Sequence, residues 1–240
     1  INHNKGRATG VTMKDGRIIH SSIVVANADA SLVYNTLISG KVRKIKGARK
    51  RISKSTQSLA GFSLLLGLRP DESSTDLNHH TILFPENYDA EFDAIFTTQT
   101  PVKDPTIYLC APGDAAMVKE AGAESIYVLV NAPVHDATGK NGWNWNDHEF
   151  NREYANSIIN QIEACGIAIR DRLDVLEIRT PADLERSVNA PGGAIYGTSS
   201  NGAQSAFLRA RNRSPLKGLY CVGGSAHPGG GLPLVGLSAE

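Results

Sequence analysis

The stretch LYCVGGSAHPGGGLPLVGLSAE, residues 219–240, joins two apolar runs through a glycine-rich segment with one histidine. The first run predicts a strand over Leu219–Val222, and the second predicts a helix beginning at Leu232 or Pro233. Glycine between a strand and a helix lets the backbone approach a ligand closely, and the free N–H groups at a helix start favour an anion or an electron-rich oxygen. The residues that we expect to contact a bound ligand are Gly223, Gly224, Ser225, His227, Pro228, Gly229, Gly230, Gly231 and Leu232. The alternative is a flexible hinge without a ligand.

His227 is the titratable side chain of this loop. Imidazole titrates near neutral pH and could act as a general acid or base. We favour a structural interpretation, in which the ring packs and bonds to the backbone. Spacing alone assigns no catalytic residue.

Charge and cysteine content narrow the function classes. The 240 residues carry 25 Lys and Arg against 24 Asp and Glu, a formal net charge of +1, and no helical pattern combines a basic stripe with aromatics. We therefore exclude nucleic acid as a partner. Cys110, Cys165 and Cys221 are far apart in apolar contexts, which predicts buried free thiols in a reducing, cytoplasmic compartment. No Cys/His spacing predicts a metal site.

The densest run of charge is KVRKIKGARKRISKS, residues 41–55. It is typical of a solvated helix and loop, or of a surface that meets anionic lipid head groups. Every apolar run is too short to cross a bilayer. We therefore expect a soluble protein or one held peripherally at a membrane.

The pattern along the chain predicts an α+β fold. Asp15-Gly16 favours a hairpin turn, and the β-branched run IVVAN that follows is typical of a strand covered on both faces. Asn27 or Asp29 can cap the next helix, and a long amphipathic helix begins near Asp147. Further strands are predicted over residues 57–68, 80–84, 106–112 and 125–133, with antiparallel neighbours expected for the last two.

Three other groups of residues have candidate roles. His79 and His80 are adjacent, so a strand would place them on opposite faces and a shared ligand site is not expected. Trp143 and Trp145 predict core or rim packing, with lining of an apolar ligand as the alternative. The alternating arginines, which an extended segment would put on one face, are Arg209, Arg211 and Arg213.

The terminal stretch resembles the C-terminal flavin-contacting motif of the phytoene desaturase family, the bacterial-type carotenoid desaturases with their isomerase and oxidase relatives. The resemblance continues through GVTMKDGRIIHSSIVVANAD, LNHHTILFPENYDAEFDAIF, PTIYLCAP and SIYVLVNAPVHD, in the order expected for this family. It implies FAD as cofactor, because a flavin ring accepts a hydride from a saturated carbon of a long polyene in this family. Many related flavoproteins bind the ribityl chain with an acidic residue, whose place Gly224-Ser225 takes here.

The resemblance also implies an organisation. Family members begin with a GxGxxG turn that holds the FAD pyrophosphate, and this motif is missing from the sequence. The chain then corresponds to the C-terminal half of an enzyme, inactive without its N-terminal half. We expect a hairpin and strand returning to the FAD domain over residues 1–30, an antiparallel-sheet substrate domain with inserted helices over residues 31–190, and a C-terminal segment of the Rossmann-like FAD domain over residues 191–240.

The implied function is desaturation of a carotenoid-like apolar substrate. Carotenoid isomerisation and retinoid-like saturation share the motif, and a lipid- or partner-binding module that has lost the cofactor is the non-enzymatic alternative. Apolar walls for the substrate would come from FSLLLGL and YVLVNAP.

Overall fold

The computed structural model describes residues 1–71, 75–199 and 209–240. The strands in chain order are β1 (Asn2–Asn4), β2 (Arg7–Thr12), β3 (Ile18–His20), β4 (Val24–Ala26), β5 (Ala60–Leu68), β6 (His80–Leu83), β7 (Ile107–Cys110), β8 (Glu124–Ala132), β9 (Leu173–Arg179) and β10 (Leu219–Cys221). The α-helices are α1 (Ala30–Leu32), α2 (Lys46–Ile52), α3 (Tyr88–Phe92), α4 (His148–Ala164), α5 (Pro181–Val188) and α6 (Leu232–Ala239). π-Helical turns over Val33–Leu37 and Asp93–Thr98 extend α1 and α3.

The chain divides into two compact units, Ile1–Ser58 with Glu185–Glu240, and Leu59–Leu184. The first unit is thus built from two segments that are distant in sequence. Its core contains Tyr34, from the segment after β4, and Ile45 and Ile52, from the basic run at residues 41–55. These side chains belong to one buried cluster with Leu219. For this reason the first unit extends to Ser58, beyond the boundary at residue 30 that the sequence suggested.

The first unit begins with an antiparallel sheet of β1, β2 and β3. Gly16 turns the β2–β3 hairpin with a φ of +86°, and Met13 N–H donates to the Arg17 carbonyl at 2.8 Å. The predicted hairpin is confirmed.

Strand β4 pairs in parallel with β10, with Val24 opposite Leu219. Ala26 and Leu219 are buried, but Val25 is 60% exposed. The prediction that this strand is covered on both faces is therefore wrong for the described chain. One face packs on the core of the first unit, and the other carries exposed apolar side chains.

The second unit is a five-stranded antiparallel sheet in the order β6-β7-β8-β5-β9. Alternation along β5 buries Phe62, Leu64 and Leu66 on one face, as the period of two in a strand requires. Helix α4 packs against that face through Ile158 and Ile162. The predicted sheet and its covering helix are confirmed.

Local signals set the ends of α4. The Asp147 carboxylate accepts from the N–H groups of Glu149 and Phe150 at 3.1 and 3.0 Å, which satisfies N–H groups that lack partners within the helix. Gly166, with a φ of +87°, lies just after the helix, as is common at helix C-termini. No α-helix in the described ranges is both long and apolar enough to cross a membrane.

Trp145 is in the core of the second unit, where it packs on Phe62 and donates its Nε1–H to the Pro133 carbonyl at 3.0 Å. Trp143 packs against Phe150 with the two rings tilted by 51°. The packing role predicted for both is confirmed. The three cysteines are free, but only Cys221 is buried, whereas Cys165 is exposed and Cys110 is intermediate; the prediction of burial holds for one of the three.

Candidate functional site

The glycine-rich loop begins where two parallel strands end. Because β4 and β10 run in the same direction, the segments that leave their carboxyl ends meet at one edge. Val222 N–H continues the ladder by donating to the Ala26 carbonyl at 3.1 Å. In α/β folds, ligands bind in the crevice outside the carboxyl ends of parallel strands. The terminal loop therefore lies at a position suited to a ligand.

Side chains at this edge connect the two strand ends. The Asp29 carboxylate accepts from Ser31 N–H at 2.8 Å and caps α1, as the sequence predicted for Asn27 or Asp29. The Ser225 hydroxyl accepts from Ala30 N–H at 2.9 Å. Ser225, expected to contact a cofactor, therefore also bonds to the start of α1.

The buried side chain of Arg209 bonds to the backbone of the glycine-rich loop and of residues 196–198. Its side chain is 4% exposed, and its guanidinium donates to the carbonyls of Gly224 at 2.8 Å, Thr198 at 3.0 Å and Tyr196 at 3.1 Å. Burial lowers the pKa of Arg209. The expectation that Arg209 shares one face with Arg211 and Arg213 is wrong, because Arg209 is buried and the other two are exposed.

The loop glycines differ in what surrounds them. A side chain at Gly223 would overlap the Asn27 amide, one at Gly230 would overlap the Tyr196 ring, and one at Gly229 would meet the Arg209 guanidinium at 3.4 Å. These three glycines allow the chain to pack against itself.

Gly224 and Gly231 are different, because they leave open space. A Cβ at Gly231 would meet no atom within 4 Å, and one at Gly224 would meet only the Gly230 Cα at 3.6 Å. Gly231 also has a φ of +99° and is the N-cap of α6. These two positions are where the backbone is open to a ligand.

Helix α6 is anchored through Ser238. Its hydroxyl accepts from Gly223 N–H at 3.2 Å and from the Asn212 amide at 2.9 Å, and the same amide donates to the His227 carbonyl at 2.8 Å. His227 itself is exposed, and its backbone N–H donates to the Ala210 carbonyl at 2.8 Å. The prediction of a packed imidazole is therefore wrong. The peptide bond before Pro228 is cis.

A cavity of about 250 Å³ opens at this edge, and its wall includes Asp29, Ser31, Thr198 and Ser225. We call it the glycine-loop crevice. Thr198 Oγ1 is buried and has no hydrogen-bond partner among the described residues. Buried polar atoms are normally satisfied, so a polar atom that enters the cavity could bond to this hydroxyl. No sequence pattern indicated Thr198, Tyr196 or the structural role of Arg209, because these residues come close to the loop only in the folded chain.

The second unit presents a separate surface. On the sheet face opposite the core, His80, Cys110, Tyr127 and Leu65 are successive partners across β6, β7, β8 and β5. Leu65 and Tyr127 are 40% and 39% exposed, and Ile82 on β6 is exposed as well. We call this surface the open sheet face. Parts of the predicted apolar runs FSLLLGL and YVLVNAP thus lie on it.

The histidine pair lies at one edge of the open sheet face. Of the two histidines, only His80 lies within β6. The ring centroids of His79 and His80 are 4.3 Å apart, so the prediction that the two side chains point to opposite faces is wrong. Their donor atoms and the Cys110 Sγ all lie within 4.8 Å of one another. His80 Nδ1 is 2.8 Å from the Tyr108 hydroxyl.

Several curated relatives match almost the whole chain. A 1-hydroxycarotenoid 3,4-desaturase from Flavobacterium sp. (strain P99-3) is 36% identical, covering 100% of this chain and 47% of that protein. Hydroxyneurosporene desaturase from Rubrivivax gelatinosus is 33% identical, covering 98% and 43%. A lycopene-forming phytoene desaturase from Paracoccus sp. (strain N81106 / MBIC 01143) is 32% identical, covering 98% and 46%. The chain thus spans about half the length of the curated relatives it matches.

No protein-family model matches the chain. Among solved structures, an oxidoreductase from Methanosarcina mazei superimposes with a TM-score of 0.55 at 13% identity, covering 99% of this chain and 46% of that one. This similarity supports the mixed helix and sheet fold.

Proposed function

Because the chain belongs to the phytoene desaturase family, matching the C-terminal half of its members, we propose that it is part of an FAD-dependent enzyme that desaturates a long apolar polyene in carotenoid biosynthesis. The observation that carries the proposal is the glycine-loop crevice at the carboxyl ends of two parallel strands, in a chain similar throughout to named desaturases.

Residues of the glycine-loop crevice, together with the loop that follows Ser225 and Gly224 before it, would fit part of an FAD molecule. Gly224 and Gly231 do not line the crevice itself, but their backbone is open to a flat ring or a sugar-like chain. Thr198 and Ser225 would bond to ribityl hydroxyls, in place of the acidic residue used by many related flavoproteins. The sequence assigned cofactor contact to all of residues 223–225 and 227–232, and we keep that set as the proposed binding segment.

The chemistry that FAD supplies when bound is acceptance of a hydride from a saturated carbon. The contribution of this chain is to bind and orient. The unpaired N–H groups at the start of α6 carry partial positive charge, which would stabilise negative charge on a neighbouring ligand. Arg209 donates to the Gly224 carbonyl at 2.8 Å and so fixes the start of the loop.

The open sheet face is the proposed wall for the polyene. A polyene offers no hydrogen-bonding groups along its length, so its site needs apolar walls that exclude water. Leu65, Tyr127 and Ile82 supply exposed apolar surface on three strands of this sheet. Trp145 is not available for this role, because it is fully buried in the core.

We propose that the other half of the enzyme covers the exposed apolar surface of the first unit. Val25 and Ile23 are exposed beside the β4–β10 pair, and Leu232 in α6 is 90% exposed. A helix that is apolar on all sides is normally buried. Under this proposal the whole first unit belongs to the FAD domain, and residues 31–58 join residues 1–30 in it.

The test of this function is co-expression of this chain with the N-terminal half of the Flavobacterium relative, the half that this chain does not match. We expect the reconstituted enzyme to retain FAD on gel filtration and to change the pigments of a carotenoid-producing host. New double bonds indicate desaturation, shifted geometry at unchanged mass indicates isomerisation, and added hydrogen indicates saturation. A stable assembly without flavin would favour the cofactor-less binding module and would contradict the proposal.

A further inference from the structure

A second cavity in the first unit brings together two basic segments of the chain. It has a volume of about 380 Å³. Lys44 and Arg51 reach it from the run at residues 41–55, and Arg211 and Arg213 reach it from the segment before β10. No Asp or Glu is among the described residues that line it. We call it the cationic cavity. The sequence showed both segments without any sign that they meet.

The cationic cavity lacks an anion of its own. Four like charges around one space repel one another, and a bound anion would reverse that repulsion. Within the described ranges, no ion pair joins any of these four side chains to a carboxylate. The guanidinium group has a planar fork of donors that suits a phosphate oxygen pair. Three of the four side chains are arginines.

The inner wall of the cationic cavity adds neutral polar groups. Tyr34 is buried, and both Tyr34 and Ser214 line the cavity. Burial raises the pKa of Tyr34 to about 12, so its hydroxyl stays neutral at physiological pH. The wall therefore contributes no negative charge that would oppose an anion.

The surroundings favour a phosphate that belongs to a lipid. Helix α2, which supplies Arg51, Gly47 and Ala48 to the wall, also carries Lys46 and Lys50, which are exposed and outside the lining. Exposed basic side chains next to a defined pocket suit a surface covered with negative head groups. We propose that the cationic cavity binds the phosphate of an anionic phospholipid head group. This site does not depend on the flavin or on the proposed reaction.

The test compares two variants that lose the same charge. Arg211→Gln/Arg213→Gln removes cations from the cationic cavity, whereas Lys46→Gln/Lys50→Gln removes two exposed cations from outside it. Binding of the 240-residue chain is measured by co-sedimentation with phosphatidylcholine vesicles containing phosphatidic acid, at 0.1 M salt. We expect the cavity variant to bind at least about tenfold more weakly than the control variant. Equal weakening of the two would mean a diffuse basic surface and would overturn the site.

A second measurement separates lipid from soluble phosphate. Thermal unfolding is followed with inorganic phosphate or chloride at equal ionic strength. We expect phosphate to raise the Tm of the wild type and of the control variant, and to leave the cavity variant unchanged. Stabilisation by phosphate without binding to phosphatidic acid vesicles would overturn the lipid assignment. The absence of both effects would overturn the phosphate site altogether.

Circular dichroism of each variant checks folding. If Arg211→Gln/Arg213→Gln does not fold, the cavity variant becomes Lys44→Gln, because Lys44 is at an exposed position of the same wall. Its control is then Lys50→Gln. The expected difference for this single pair is about fivefold, because one Lys or Arg near an anionic surface is worth roughly 1 kcal/mol.

Discussion

The loop glycines have two different structural reasons to be glycine. Gly223 and Gly230 are required by atoms of the same chain, the Asn27 amide and the Tyr196 ring. Gly224 and Gly231 face open space. Substitution can therefore distinguish the fold of the loop from its contact with a ligand.

We expect Gly224→Ala in the reconstituted enzyme to reduce flavin retention severalfold while the fold is unchanged. The new methyl group would lie against nothing but the Gly230 Cα at an ordinary contact distance of 3.6 Å, so any loss arises from the ligand. Flavin absorbance after gel filtration and far-ultraviolet circular dichroism provide the two readouts.

Gly230→Ala is the matched control for that experiment. Its methyl group would overlap the Tyr196 ring, so we expect lower thermal stability even without flavin. Normal flavin retention in Gly224→Ala would argue against the assigned contact, and the hinge interpretation would then be preferred.

The cysteines should react with thiol reagents in the order of their exposure. Cys165 is exposed, while Cys221 is buried and burial raises the pKa of its thiol. Because the thiolate is the reactive form, we expect Cys221 to be labelled only when the protein unfolds. Mass spectrometry after timed alkylation measures this order, and early labelling of Cys221 would contradict the packing of β10.

Among the secondary structure elements, those with strong local signals were predictable from sequence. The cap at Asp147, the apolar spacing along α4 and the stop at Gly166 all act within a few residues of the helix. The alternation along β5 likewise showed which side chains form the core. Which strands pair with each other was harder to predict, since nothing in the sequences VVA of β4 and LYC of β10 shows that these two runs lie side by side.

The cap at Asp147 can be tested directly. We expect Asp147→Ala to lower the free energy of unfolding by about 1 kcal/mol, because two N–H groups at the start of α4 lose their acceptor. Asp147→Asn should restore most of the loss. Chemical denaturation measures both, and an unchanged midpoint for the alanine variant would contradict the cap.

Acid should weaken the link between the start of β8 and the turn before β9. Burial alone would raise the pKa of Glu124, but hydrogen bonds from Thr75 and Arg172 outweigh it and hold that pKa below its ordinary value. Arg172 Nη1 donates to the Glu124 carboxylate at 2.6 Å.

A carboxyl group whose pKa is lower in the folded state stabilises the protein above its unfolded pKa. That stabilisation disappears as the pH falls through the folded pKa. We therefore expect Glu124→Gln to be less stable than wild type by up to about 1 kcal/mol at pH 7, and the difference to shrink steadily as the pH falls below roughly 4.3, the ordinary pKa of a glutamate. A difference that stayed constant as the pH fell through the acid range would contradict the ionic contribution.

The molecule as a whole departs most from what the sequence allowed us to predict. The exposure of Val25 and of α6 depends on what packs over them, which no local pattern records. The two-segment first unit and the meeting of the two basic runs in the cationic cavity depend on contacts between residues more than a hundred positions apart. The approach of the histidine pair to Cys110 likewise depends on the pairing of β6 with β7, which no local pattern records.

We expect the isolated chain to bind FAD weakly and to bind a hydrophobic dye strongly. The motif that would hold the pyrophosphate is missing from the sequence, and exposed apolar side chains such as Leu232 are available to a dye. Dye fluorescence should fall when the complementary half of the Flavobacterium relative is added. Stoichiometric flavin on the purified chain would contradict this prediction.

The pairing of β4 with β10 also sets an order of events during translation. Ala30 and Ser225, which bond across the glycine-loop crevice, are 195 residues apart. At about 5–20 residues per second, the ribosome needs roughly 10–40 s between them. Residues 59–184 emerge in that interval with all five of their strands and can fold first. The partner strand of β4 is made only afterwards, so the edge of β4 stays unpaired throughout that interval, and a chaperone has time to bind there.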